Sequence, residues 1–220
     1  MSYLRFEKAL MTNLEESLPR ELLRTNRSGA YSCSTIVDCN TRKYHGLLVV
    51  PVPALDDENH VLLSSLDATV IQHGAEFNLG LHKYQGNNYS PKGHKYIREF
   101  DCDKVPTTLY RVGGVVLKKE VVFQHYEDRI LIRYTLVDAH SATTLRFRPF
   151  LAFRRHVEVL VGSVATLLLL RILHATIPIG LEHEVVVLAE LHVEVGISGI
   201  HTSLYTLLHF TILTNLNLNL

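Results

Sequence analysis

Apolar residues along this chain follow the two-residue rhythm of strands far more often than the spacing of helices. The clearest case is 130–137, where Ile130, Ile132, Tyr134 and Leu136 alternate with Leu131, Arg133, Thr135 and Val137. Leu145, Phe147, Pro149 and Leu151 repeat the pattern, with Arg146 and Arg148 on the opposite face. Residues 108–123 predict a hairpin turning at Gly113-Gly114, and Asp138-Ala139-His140-Ser141 predict a turn. Upstream, 61–72 predicts a strand that reverses at Gly74. The run Leu47-Leu48-Val49-Val50, stopped by Pro51 and Pro53, predicts a buried strand. Residues 3–10 alternate loosely, as an edge strand would, and 34–38 (STIVD) predicts a strand after a Ser- and Gly-rich turn. Only 13–25 suggests a helix, of one or two turns, started by Ser17 with Pro19 in its first turn. The stretch 80–95, rich in Gly and Asn, reads as a long irregular connection carrying His82, Tyr84, Tyr89 and His94. Strands at roughly 12–15-residue spacing with no helical patterns between them predict an all-β fold, an antiparallel β-sandwich, over about 1–154.

The chain changes character near Arg155. From His156 to Leu220 there is no Lys, Asp, Gln or Cys, whereas all eight lysines and all eight aspartates fall before residue 140. Three readings of 155–220 compete: an apolar β segment, a membrane element, or a tail translated out of frame. A membrane span needs ~20 mostly apolar residues, and the longest candidate, 157–181, is interrupted by Glu158, Arg171 and His174. The abrupt loss of whole residue types favours the frame shift, because no pressure on a folded sheet would remove every Lys and Asp at once. His174, His183, His192 and His201 recur every nine residues. That offset is about 900° on a helix, and it is odd on a strand, so either geometry alternates their faces and argues against a metal site.

Charge and cysteine content narrow the classes further. The net charge is zero, and no Lys/Arg run offers the basic face that a phosphate backbone or an anionic membrane needs. The start of the chain lacks the apolar core of a signal peptide. Cys33, Cys39 and Cys102 are odd in number and have no CxxC spacing, which argues against zinc and predicts free thiols in a reducing cytoplasm. No cofactor motif occurs.

The densest chemistry lies at Asn40-Thr41-Arg42-Lys43-Tyr44-His45-Gly46, just ahead of the apolar run. This position suits presentation of side chains from a rigid support, or equally the capping of a sheet edge. Together, RELLRTN at 20–26, GAYSCST at 29–35 and NTRKYHGLLV at 40–49 resemble the N-terminal domain of bacterial and archaeal glycogen debranching enzymes. Leu22 stands where Trp is usual there, and Arg27 and Ala30 where glycines are usual. The resemblance covers about 1–154, including FRPFLAFR at 147–154.

It implies a large two-sheet supersandwich of the galactose-mutarotase-like kind. In the full-length enzymes an α/α-barrel follows, which carries the amylo-α-1,6-glucosidase carboxylates. Such hydrolysis needs two carboxylates flanking the bond. Here Asp38, Asp67, Asp101, Asp103 and Glu120 show no spacing that marks a catalytic pair, and nothing orients Cys39 and His45 as nucleophile and base. The expectation is a domain with no catalytic residues, no metal and no cofactor. Its expected partners are an α-glucan such as glycogen or a maltooligosaccharide and the catalytic barrel, with no nucleic acid and no membrane. The candidate carbohydrate-binding or domain-interface residues are Asn26, Tyr31, Arg42, Tyr44, His45 and Gly46. The alternative is a stand-alone structural or interaction module without sugar affinity.

Overall fold

The computed structural model describes residues 4–53, 58–155, 175–179, 184–198 and 201–214. Its strands in chain order are β1 (Arg5–Glu7), β2 (Glu21–Thr25), β3 (Tyr31–Thr35), β4 (Gly46–Pro51), β5 (Asn59–Gln72), β6 (Ala75–Asn78), β7 (His82–Tyr84), β8 (Asn88–Ser90), β9 (Ile97–Cys102), β10 (Pro106–Val112), β11 (Val115–Phe123), β12 (Arg129–Ala139), β13 (Thr143–Arg155), β14 (Ala175–Ile179), β15 (Glu184–Ser198) and β16 (His201–Thr214). Helices α1 (Lys8–Thr12) and α2 (Leu14–Ser17) precede β2. The larger sheets run β1-β9-β10-β11-β12-β15-β16 (sheet A) and β14-β13-β5-β4-β3-β2 (sheet B). All of the strand pairs are antiparallel, as the sandwich reading expected. Within 155–220, the described segments are strands that pair with β12 and β13 or with each other. No helix among the described residues is long and apolar enough to cross a membrane.

Period-2 patterning puts the core between the sheets. Ile130, Ile132, Tyr134 and Leu136 of β12 are buried, as are Tyr110, Val112, Val115 and Leu117 of the neighbouring hairpin. Sheet B answers with Leu48, Leu66, Ala68, Val70, Leu145 and Phe147. The Tyr134 and Phe147 rings meet across the layers, centroids 5.0 Å apart. β12 and β13 are consecutive but lie in different sheets, so 140–142 carries the chain from one layer to the other. Gly113 and Gly114 both have positive φ (58° and 81°), as the tight hairpin turn requires.

Three local expectations are corrected. The helix expected over 13–25 lies earlier. Asn13 caps α2 by accepting from the Glu15 N–H at 3.1 Å, Ser17 ends it, and 21–25 is the edge strand β2. Pro19 has no N–H to extend a helix, and Glu21–Thr25 alternates in burial against β3. The strand expected over 34–38 is Tyr31–Thr35. Ile36–Asp38 is a turn closed by the Thr35 hydroxyl, which accepts from Cys39 N and donates to Cys39 O, both at 3.0 Å. Inside 80–95, three-residue strands β7 and β8 pair around Gly86 and Asn87, both at positive φ.

Sheet B has a window. β13 lies along one edge of β5 from His60 to Ile71, while β4 takes 59–63 and β6 takes 69–72 of the other. In the gap the Asn40 amide donates to Ser64 O (2.8 Å), and Leu79 N–H donates to Ala68 O (2.9 Å). Through this gap Lys119, buried on β11 of sheet A, reaches Asp38, Nζ to Oδ2 2.6 Å. Burial alone would lower the pKa of the Lys119 ammonium, but the facing Asp38 carboxylate outweighs it and holds the pKa above the usual lysine range.

Candidate functional site

Glu21 opens the edge strand β2, and its carboxylate gathers the polar cluster. Arg42 Nε donates to Oε1, Tyr44 Oη donates to Oε2 at 3.2 Å, and His45 Nε2 lies 3.4 Å from Oε1 without hydrogen-bond alignment. Burial tends to raise the Glu21 pKa. The Arg42 hydrogen bond, the His45 ring when it is protonated, the Arg42 charge and the Tyr44 phenol outweigh it, so the carboxyl is held below its usual range.

Gly46 returns the chain from this cluster into β4. A Cβ there would lie 2.7 Å from Val49 Cγ2 and 2.8 Å from Val61 Cγ1, so only glycine fits without shifting the strands. His45 is wholly buried and packs edge-on against Tyr44, ring centroids 5.1 Å apart. Burial pushes its pKa down against the pull of Glu21, so the ring is neutral at pH 7. Beside the cluster lies an open groove of about 530 Å³, lined by Glu21, Leu23, Tyr31, Cys33 and Tyr44 among others.

The two motifs that were separate in the sequence are therefore one object, the glutamate of the first holding the arginine and tyrosine of the second. The family description "Glycogen debranching enzyme N terminal" matches residues 20–165, about two thirds of the chain. The chain belongs to the family of glycogen debranching enzyme N-terminal domains. No curated protein and no solved structure matches it.

In this debranching-enzyme domain the six sequence-predicted residues divide by role. Tyr44, 39% exposed, lines the groove, and Arg42, with 55% of its side chain exposed, is held beside it by Glu21. Tyr31 lines the groove and donates through its hydroxyl to Tyr44 O at 3.1 Å. His45 and Gly46 support them from below. Asn26 is buried apart from the cluster. Its Oδ1 accepts from Ser28 N and Ala30 N, and its Nδ2 donates to Glu127 O and Asp128 Oδ1, so its amide ties the 26–30 turn to 127–128. Glu21 was missed. The one available signal was its place in the Arg-Glu pair that opens the first motif, and a lone glutamate on an edge strand carries no local mark of function.

Glu21, Cys33 and His45 also place one ligand-type atom each within 4.8 Å of one another. The chemistry does not suit a cation. His45 Nδ1 accepts the Thr41 N–H at 3.1 Å, which leaves the ring proton on Nε2, the atom a metal would need bare. Burial, then the Glu21 charge, push the Cys33 thiol pKa up, away from the thiolate. Glu21 and Cys33 line the groove, and His45 is buried beneath them.

Proposed function

We propose that this domain is a non-catalytic part of a cytoplasmic glycogen debranching enzyme, where it aids α-glucan recognition and supports the α/α-barrel catalytic domain. The observation that carries the reading is the Glu21-centred cluster, in which Glu21 and Tyr44 line an open groove and the exposed Arg42 is bound to Glu21, in a chain of this family. A planar guanidinium and an aromatic face are the groups that hold sugar hydroxyls and sugar rings. Hydrolysis itself needs two carboxylates. Among the described residues Glu21 is the one carboxylate lining this groove, and it is held ionised, unsuited to donate a proton.

A native gel containing glycogen tests the reading on the full chain. Retardation is expected, and Tyr44→Ala and Arg42→Ala are expected to reduce it, with melting close to wild type. Unretarded wild-type protein sinks the glucan role. A second reading, a protein-docking face, is favoured by Leu23, an apolar side chain 60% exposed in the groove wall. It predicts that Leu23→Ser removes association with the separately expressed catalytic domain and leaves glycogen retardation unchanged.

A further inference from the structure

β2 has two faces, and the inner one holds an arginine without an acid. Arg24 points toward sheet A at the open rim of the sandwich, where Thr25, Lys104, Pro106, Val121, Phe123 and His125 help to line a groove of about 400 Å³. Its Nη2 donates to two neutral acceptors, Cys102 Sγ at 3.4 Å and Lys104 O at 3.3 Å. Its Nε is out of contact with solvent and has no acceptor. Several arginines are neutralised, Arg5 by Glu99, Arg42 by Glu21, Arg133 by Glu120 and Arg146 by Glu76, whereas Arg98, like Arg24, has a buried Nε without an acceptor. Neither Arg24 nor Lys104 forms an ion pair among the described residues, and no carboxylate lines the groove. The closest acid in sequence to His125, Glu127, is engaged by Gln124 and Arg129. A guanidinium donor withdrawn from water without an acceptor is costly, and it marks the place where an anion's oxygen would sit.

We propose that this inner groove binds a phosphate monoester, with Arg24 as the forked donor and Lys104 as the second charge. The two cations match the charge of about −1.5 to −2 that a phosphate monoester carries near neutral pH. Pro106, Val121 and Phe123 give the carbon skeleton of the ester an apolar floor. This site is separate from the Glu21 groove, on the opposite face of the same strand, and stands independently of the glucan reading.

Calorimetric titration of the full chain at low ionic strength, with inorganic phosphate, glucose 6-phosphate and glucose as probes, tests the proposal. Binding of phosphate and of the ester is expected, with none for glucose. Affinity should fall about tenfold or more in both Arg24→Gln and Lys104→Gln, the loss of one charge-assisted hydrogen bond. Lys104 is exposed, so its variant reads the site whether or not Arg24→Gln folds. Tighter binding of glucose 6-phosphate than of phosphate assigns the ligand to a sugar-borne ester; equal binding assigns it to the free anion. No binding of either probe overturns the proposal and leaves Arg24 as a charge guarding an edge strand against pairing. Retained affinity in Lys104→Gln, or binding of an acidic peptide in place of both phosphates, also overturns it.

Discussion

Two acid–base contacts fasten the loop between β3 and β4, and they differ in where water is. At the outer corner, Glu21 keeps 24% of its side chain exposed and is approached by Arg42, Tyr44 and His45. In the window of sheet B, Lys119 keeps 6% and meets Asp38, whose side chain is 40% exposed. The outer cluster loses little if Arg42 or Tyr44 leaves, because water replaces either, and both are available to a ligand, whereas His45 beneath them is wholly buried. The inner pair buries its cation, which spans the distance between the layers, and leaves only the Asp38 carboxylate partly in water. Burial, more than residue type, separates presentation from fastening.

The sharpest break of this comparison is asymmetric. Asp38→Asn leaves a buried ammonium uncompensated and should cost about 3–5 kcal/mol, read as a lower urea midpoint. Lys119→Met removes the buried charge itself and leaves Asp38 partly in water, so its cost should be clearly smaller. Equal costs would mean that the pair is solvated and the contrast with Glu21 is false.

Arg27 offers an intermediate effect. It stands where the family usually has glycine and sits at φ 68°, in the left-handed region. A side chain there costs about 1–2 kcal/mol, partly offset by the flexibility that glycine adds to the unfolded chain. Arg27→Gly should therefore raise stability by up to about 1 kcal/mol, seen as a higher melting temperature.

The smallest effect belongs to the outer cluster. Glu21→Gln should change stability by less than about 1 kcal/mol while reducing retardation by glycogen. The same corner sets a pH response. Burial lowers the His45 pKa, so below its usual value of 6.5 the unfolded chain takes up the proton first, and stability falls as the pH drops from there. Glu21, held below its usual 4.5, contributes stability above that value and loses it as the pH falls through its folded value. Both act in the acid direction. Melting temperatures measured from pH 7 to 4 should decline, and His45→Gln should flatten the upper part of that decline.

Much of the sandwich was legible because burial on one face of a sheet writes itself as alternation. β10 to β13 and the Gly113-Gly114 turn lie where the pattern puts them. What stayed hidden was decided by contacts distant in sequence. β2 looked helical because Leu18, Leu22 and Leu23 fit a short helix, and only pairing with β3 makes it a strand. The site was half legible. Arg42, Tyr44 and His45 stood out as a dense polar run, but their common partner lies on another strand, and Asn26 proved to hold a turn. Nothing local could have announced the window, since it exists only where β4 and β6 leave β5 unpaired between them.

Lys119 crosses that window as a bolt crosses a plate. Its head grips Asp38 at the start of the loop that ends in Arg42, Tyr44 and His45, and Gly46 clamps the loop's far end between Val49 and Val61. The loop is a beam fixed at both supports, one of them anchored in the opposite layer. One end of the loop that presents Arg42 and Tyr44 is thereby tied to the opposite layer.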